Sequence, residues 1–517
     1  MNVYNISADT LALMQKTLGA RFDGLSWNPL EKSAMTTGNN VVGYDLQAPA
    51  RLLVPFITPI RNSLPRRSRA ANPGTASHWK QITAITDSGY PRQGWTNEGA
   101  RATQLNYSAV DKTAAYQTIG AEDALTFEAE SAAQGFEDAN ALATFILLEQ
   151  MMVKEEMALL AGNNSIALGT PTTPTTSVAG TGATIPTATY TVRVVALTIE
   201  GFAAASVTGG LPTQKAVTGV DGKVQTINGG VSIRSAGASQ AVTLGENLRA
   251  STPVINGAVA YAWFIGTGGT EYLQAITTIN SVQLSSYTTS GRQTSAAFTV
   301  DYSANNGTLG GGTNQVTAFD GLVTSTFANG ALGNAYVSAL ATGTAGTGTK
   351  LTASGKGTVN EIDAVLLYLW NTWRISPTKI WVNAQEQRDI TTLCLNASSG
   401  PLLRIDQAAS GGEYSLTAGG QISYYFNPFT VNGGTKLPVM IHPDLPPGTV
   451  FFQCETLPAY YKSNQTPTVA EVLTRRDYYR IDWPLTTRER QYGVYSEEVL
   501  ANYAPFGFAI LTNIAPQ

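Results

Sequence analysis

Very few side chains in this sequence are equipped for chemistry. Among 517 residues there are two cysteines, Cys394 and Cys454, and two histidines, His78 and His442. The cysteines cannot build a disulfide framework and show no CxxC zinc spacing. The histidines lie too far apart to suggest a ligand pair or a serine-based triad, so both read as structural. Residues 343–351, Gly-Thr-Ala-Gly-Thr-Gly-Thr-Lys-Leu, approach a phosphate loop. Thr349 separates Gly348 from Lys350, however, and Leu351 stands where Ser or Thr is needed, so the segment reads as a flexible turn. Glu122, Asp123, Glu128 and Glu130 could supply glycosidase-type carboxylates, but a structural ion-pair face is the simpler reading. Tyr424, Tyr425 and Phe426 have no basic groove around them and read as packing residues, not base stackers. No zinc-protease, kinase or nucleophile-elbow motif occurs. The expectation is a protein without catalytic residues, metal or cofactor.

The charges that do occur are unevenly placed. Lys, Arg, Asp and Glu make up 13 % of the chain and the net charge is −4, so there is no global basic field to collect nucleic acid. Against that background Arg61, Arg66, Arg67 and Arg69, grouped around Pro65, form the densest basic cluster. Carboxylates of an adjacent subunit, such as the acids at 122–130, are the favoured partner, because Arg grips carboxylates bidentately. Phosphates are the competing partner, and a solvated turn without any partner stands beside both as the plain reading. Arg92, Glu98 and Arg101 are a second set of charges in a turn-rich stretch and are expected to meet a neighbouring subunit.

These residues must be carried by recognisable elements. Residues 7–20 read as a helix through Leu11, Met14 and Leu18, and 28–50 as an extended arm. Residues 52–60 are apolar but hold Pro55 and Pro59, which permits at most an edge strand. Residues 78–86 alternate, with Trp79, Gln81, Thr83 and Ile85 opposite Ile82 and Ala84, and 105–119 alternate again. The two make a long hairpin too polar to be buried on both faces, which must therefore lie on something outside itself. Residues 136–161 contain no Pro or Gly and read as a spine helix closed by Gly162-Asn163. It shows two apolar stripes, one through Leu142 and Ile146, the other through Phe145 and Leu148, with Glu149, Lys154, Glu155 and Glu156 between them.

At Gly169 the texture changes. Residues 170–184 read as a Thr/Pro/Gly linker, and from there to about 291 the chain is short strands and turns. That pattern, with Tyr190, Val192, Val194 and Ala196 alternating, implies a β-sandwich of immunoglobulin or fibronectin type. After 298, Thr358 with Glu361 and Asn383 with Glu386 read as capping boxes opening two helices. Strands follow at 379–382, 438–440 and 450–453, around the turn Asp444-Leu445-Pro446-Pro447-Gly448. A charged strand region covers 477–500 and an apolar strand 506–511. Elements of one α+β body thus flank the sandwich, which marks it as an insertion at a loop. Low charge and 10 % glycine fit a chain that keeps much of its surface against copies of itself. Met1 is followed by no basic start and no apolar core, so no signal peptide is expected, and no apolar run is long enough to span a membrane.

The order of these parts resembles the major capsid protein of tailed bacteriophages, a shell fold shared with herpesvirus capsids and encapsulins. The carrying residues are Glu155-Glu156-Met157-Ala158-Leu159-Leu160-Ala161-Gly162-Asn163 at the end of the spine, and Leu437-Pro438-Val439-Met440 through Asp444-Leu445-Pro446-Pro447-Gly448-Thr449-Val450. The resemblance covers most of the chain outside 169–291. It implies an N-terminal arm (1–76), an extended loop (77–119), a peripheral domain with the spine helix (120–168), an inserted sandwich (169–297), an axial domain (298–454), a second peripheral part (455–500) and a returning strand (501–517). It also implies self-assembly into hexamers and pentamers of an icosahedral phage head around double-stranded DNA. Scaffolding, portal and decoration proteins would be further partners, with packaged DNA touched only non-specifically and no membrane. The protein would be made in the bacterial cytoplasm and reside in the virion. A cell-surface adhesin and a carbohydrate-active enzyme with an accessory module are the competing classes. The first would want a secretion signal and the second a catalytic set.

Overall fold

The computed structural model describes residues 52–69, 74–88, 93–133, 138–307, 318–355, 357–396, 403–407, 414–418, 422–431, 433–461 and 468–517. The expected helix at 7–20 and the arm at 28–50 lie outside them. The elements below belong to one compact unit, Val54–Gln134 with Asp138–Gln517.

The spine helix is Ala139–Ala161, 23 residues, about 34 Å long at 1.5 Å per residue. Asp138 caps it, its carboxylate accepting the Ala141 N–H at 3.0 Å. Its buried row is Leu147, Met151, Glu155 and Leu159, four residues apart and therefore on one line of the helix. This corrects the two expected stripes: Leu142 and Ile146 are half-buried, and Phe145 is exposed. Leu147 and Met151 pack on Tyr492 and Val494 of the sheet beneath, while Leu159 and Leu160 enter the main core. Gly162 ends the helix with φ −47, not in the left-handed region. Glycine is required there by close approach: a Cβ would come within 2.7 Å of the Ala158 and Phe319 carbonyl oxygens.

The sheet under the spine has the order Arg66–Ser68, Ala470–Asp482, Glu489–Asn502, Gln117–Thr126. Its first strand is half of the basic cluster. Just before it, Pro59–Ser63 is a short helix with Pro at its start, not the edge strand expected for 52–60. Proline fits the first helical turn because its missing N–H is not needed there.

The long hairpin pairs Ala76–Asp87 with Leu105–Ala115. The second strand stops at Tyr116, and Gln117–Thr126 turns into the sheet under the spine, so the expected continuous strand to 119 is two strands.

The inserted region holds a three-stranded sheet (Ser281–Leu284, Gly245–Ser251, Thr175–Ala183) and a four-stranded one (Thr270–Thr277, Ala260–Thr267, Ala188–Leu197, Ala238–Val242). Tyr190, Val192, Val194, Leu248, Trp263 and Val282 form one buried cluster between them. The expected linker at 170–184 is therefore largely a strand, in which β-branched Thr is at home. The outer face of the larger sheet is also covered, by Leu211, Val231 and Phe298 against Val195, Phe264 and Leu273. The chain crosses into this region beside its exit. The Gly169 N–H reaches the Asp301 carboxylate at 2.7 Å, and the Asn163 amide reaches the Ser303 carbonyl at 2.7 Å.

A six-stranded sheet in the order Tyr336–Ala339, Phe508–Thr512, Val450–Gln453, Lys379–Val382, Thr435–Ile441, Tyr424–Asn427 completes the body. Helices Asn360–Trp373 and Ala384–Asn396 pack on it. Neither expected capping box forms. Val359 occupies the first N-cap, and Glu361 binds the Thr352 N–H at 2.9 Å. Asn383 does accept the Gln385 N–H at 3.1 Å, but Glu386 turns away to the Gly448 N–H at 2.5 Å. The Asp444-to-Gly448 turn is thereby fixed to that helix, with the Asn383 amide on the Leu445 carbonyl at 2.7 Å.

Candidate functional site

Two features stand out together: a hairpin with an exposed apolar face, and a buried charge node at its root. The hairpin contains a β-bulge. Ile82 pairs with Ala109, yet Ala84, two residues on, pairs with Ser108. One extra residue, Thr83, resets the alternation. The sequence pattern sets Ile82 and Ile85 on opposite faces. The bulge instead places both on the face of Leu105 and Tyr107. That face is open: Ile82 is 66 %, Ile85 72 %, Leu105 63 % and Tyr107 73 % exposed. Trp95, between the strands, is 96 % exposed. Glu98 and Arg101 are exposed in the same stretch, while Arg92 lies outside the described residues.

The root is anchored. Trp79 meets Tyr503 edge to face at 5.4 Å, and the Gln81 amide reaches the Tyr503 carbonyl at 2.6 Å. Ala114 and Tyr116 pack against the main core.

Beneath the root lies the partner set of the basic cluster, and it belongs to this same chain. The Arg61 Nε is 2.7 Å from Glu155, and Arg66 pairs with Glu155 through its other face. Arg66 also reaches Asp477 at 2.9 Å and Glu498 at 3.0 Å, and Arg67 pairs with Glu471. Both the Arg61 and Arg66 guanidiniums lie over the Tyr478 ring, at 5.4 and 5.5 Å from its centroid. Within the chain, the carboxylates that Arg61, Arg66 and Arg67 meet come from the spine and from the C-terminal strands. Arg69 is exposed at the strand end, its N–H on the Thr474 carbonyl at 2.8 Å. The acids expected as partners pair elsewhere, Glu128 with Arg488 and Glu130 with Arg490.

Glu155 and Glu156 are 0 % and 1 % exposed. Glu156 accepts the Ile60 and Arg61 N–H groups at 2.9 and 2.7 Å, receiving the start of the short helix. His442 completes it. Its Nδ1 accepts the Asp444 N–H at 3.1 Å, so the ring donates through Nε2 to Glu156 at 2.7 Å. Burial, aided by the Glu155 charge and opposed by Arg66, pushes the Glu498 carboxyl up to about 7. Burial and Glu155 also hold the Tyr478 hydroxyl protonated as a donor.

The helical periodicity sets Glu155 and Glu156 between two apolar stripes, and no motif singles out His442, Glu471, Tyr478, Glu498 or Tyr503 as their companions. One signal was available: in a chain with 13 % charge, two adjacent glutamates inside an apolar helix need cations, and the Arg cluster is the nearest dense supply.

Among the described residues no helix is long and apolar enough to cross a membrane. Tyr425 is buried with its hydroxyl on Asp363 at 2.6 Å, whereas Tyr424 and Phe426 are exposed. Both cysteines are buried thiols.

No protein-family model matches this chain, and no curated protein does. Among solved structures it is similar to the holo-SrpI encapsulin of Synechococcus elongatus PCC 7942, at 9 % identity and a TM-score of 0.39 over 93 % of this chain and 96 % of that one. It is also similar to the capsid of a native GTA particle, at 10 % identity and 0.40 over 94 % and 100 %. A third is the capsid of Myoviridae phage XM1, at 7 % and 0.38 over 94 % and 100 %.

Proposed function

We propose that this chain is a structural, non-enzymatic shell subunit: a major capsid protein of the tailed-phage type, residing in the virion. The observation that carries the reading is the hairpin Ala76–Asp87 with Leu105–Ala115. It leaves Ile82, Ile85, Leu105 and Tyr107 on one open face, and a two-stranded hairpin is marginal in water unless something covers it. A rigidly rooted hairpin with an apolar face fits a neighbouring copy, which would in turn offer its own hairpin onward. A repeated head-to-tail contact of this kind closes into rings, here hexamers and pentamers of an icosahedral head around double-stranded DNA. Glu98 and Arg101 near the tip would set register, worth only about 0.2–1 kcal/mol per exposed pair but repeated in every copy. Arg92 joins that proposal from the sequence alone. Scaffolding, portal and decoration proteins would be further partners, and DNA contact would be non-specific.

The test is assembly. The purified chain should form closed shells in negative-stain electron micrographs. Ile82→Asp with Tyr107→Asp should keep the circular-dichroism spectrum and yield only unassembled protein. Shells from that double variant, or discrete monomers from the unmodified chain under every assembly condition, would overturn the reading.

A further inference from the structure

The root of the hairpin and the basic cluster share one residue, Tyr503. On one side its ring holds Trp79 and its carbonyl holds the Gln81 amide, at 5.4 and 2.6 Å. On the other its hydroxyl accepts from Arg67 at 3.0 Å and donates to Glu471 at 2.5 Å. Burial, with the Glu471 charge beside it, pushes this hydroxyl up to about 12, so it stays a donor. Glu471 is itself buried and pairs with Arg67. The rest of the root is loosely finished. A cavity of about 250 Å³ lies beside Trp79, Ala114, Ser325 and Asn502. Trp79 Nε1, Ser77 Oγ and Asn502 Oδ1 find no hydrogen-bond partner among the described residues. On this side the hairpin has room and unmet donors; on the Tyr503 side it is held.

We infer that Tyr503 is a positioning residue through which seating of the 58–69 segment sets the stiffness and angle of the hairpin. Arg67 and Glu471 clamp the hydroxyl, the clamped ring fixes Trp79, and Trp79 fixes the first strand. Losing the clamp leaves the ring packed but free to shift toward the cavity. The coupling is reciprocal: displacing the hairpin also loosens Arg67. It concerns a single chain, so its failure leaves the assembly reading standing, and failure of assembly leaves the coupling testable.

The experiment is hydrogen–deuterium exchange on the intact, unassembled chain. Arg67→Ala should speed exchange at 76–81 and 114–116 about tenfold, as expected for one lost charge-assisted hydrogen bond. Exchange in the helix Asn360–Trp373 should not change. Tyr503→Phe, which keeps the ring against Trp79, should reproduce the effect. Arg67→Ala added to it should give little further change, because both act through one hydroxyl. Arg67→Lys should restore part of the protection, and it serves as the working variant if Arg67→Ala does not fold. Unchanged exchange at 76–81 in Tyr503→Phe, or fully additive effects in the double variant, would overturn the inference.

Discussion

At the residue scale, the node is a case of buried charge held by geometry. Glu155 and Glu156 are adjacent in sequence but serve different partners, one two guanidiniums and a tyrosine, the other two backbone N–H groups and an imidazole. Ionised carboxylates survive burial only with such full sets of donors. Glu498 is less well served: one oxygen takes Arg66 and Ser496 at 3.0 Å each, and the other has no partner among the described residues. Its folded carboxyl lies at about 7 against an ordinary 4.5, mainly through burial. A raised carboxyl contributes stability that is fully present below the unfolded value and lost as pH rises through the folded one. Unfolding free energy should therefore fall between about pH 4.5 and 7. Glu386, also pushed up to about 7 by burial, acts in the same direction. Glu498→Gln should flatten part of that fall and leave the Glu386 share. Urea titrations at pH 5 and 7.5 measure it, and an unchanged slope in Glu498→Gln would refute the assignment.

At the element scale, the spine shows what periodicity can and cannot give. Its existence and its C-terminal stop are legible, because 139–161 lacks Pro and Gly and Gly162 follows. Its buried face is not, because apolar residues nearly encircle the helix and the face is chosen by the sheet below. Leu147→Ala should cost about 2–5 kcal/mol, as a buried leucine beside Met151 and Tyr492. Phe145→Ala, on the exposed side, should cost well under 1 kcal/mol by comparison. Thermal or urea unfolding separates them, and equal effects would mean the face is wrongly placed. The hairpin follows the same logic. Alternation announces two strands, but a bulge is one residue of register, and nothing in 78–86 marks Thr83 as the extra one. The ion pairs of the basic cluster were hidden for another reason. Their acids lie some ninety to more than four hundred positions away in sequence, and spacing along a chain carries no information about contacts of that range. The capping boxes failed because Glu361 and Glu386 had better use elsewhere, on Thr352 and on the Gly448 turn. Local motifs yield when a partner outside the motif binds the same carboxylate.

At the scale of the whole molecule, the sandwich of two sheets between 175 and 284 is built into the body and not hung from it. Ile199 and Val259 belong to the main core cluster alongside Leu160 and Phe508. The Asn280 N–H meets the Asn513 side chain at 2.8 Å, and its amide meets the Thr342 hydroxyl at 2.8 Å. The glycine-rich segment at 343–351 finds its purpose here. Gly346, at φ 84, lies so close to Gln283 that a Cβ would fall 2.4 Å from its side chain, and its N–H donates to Ser281 at 3.0 Å. It is a seat for the sandwich. Joining Gly169 to Asp301 through a Gly/Ser linker therefore removes two core side chains and exposes this seat. At about 2–5 kcal/mol for each lost core residue, the deletion approaches the whole stability of an ordinary domain. The deleted chain should be insoluble or lose cooperative unfolding. Trimming is different. The hairpin Gln214–Thr218 with Val224–Asn228 is exposed along most of both strands, and its root is fixed where Asn228 meets Asn305 and Ala304. Replacing 216–226 by Asn-Gly keeps that root and removes nothing from either core, so this variant should unfold within a few degrees of the parent. A deletion variant that stays soluble and melts cooperatively near the parent temperature would show that the sandwich is independent of the body after all.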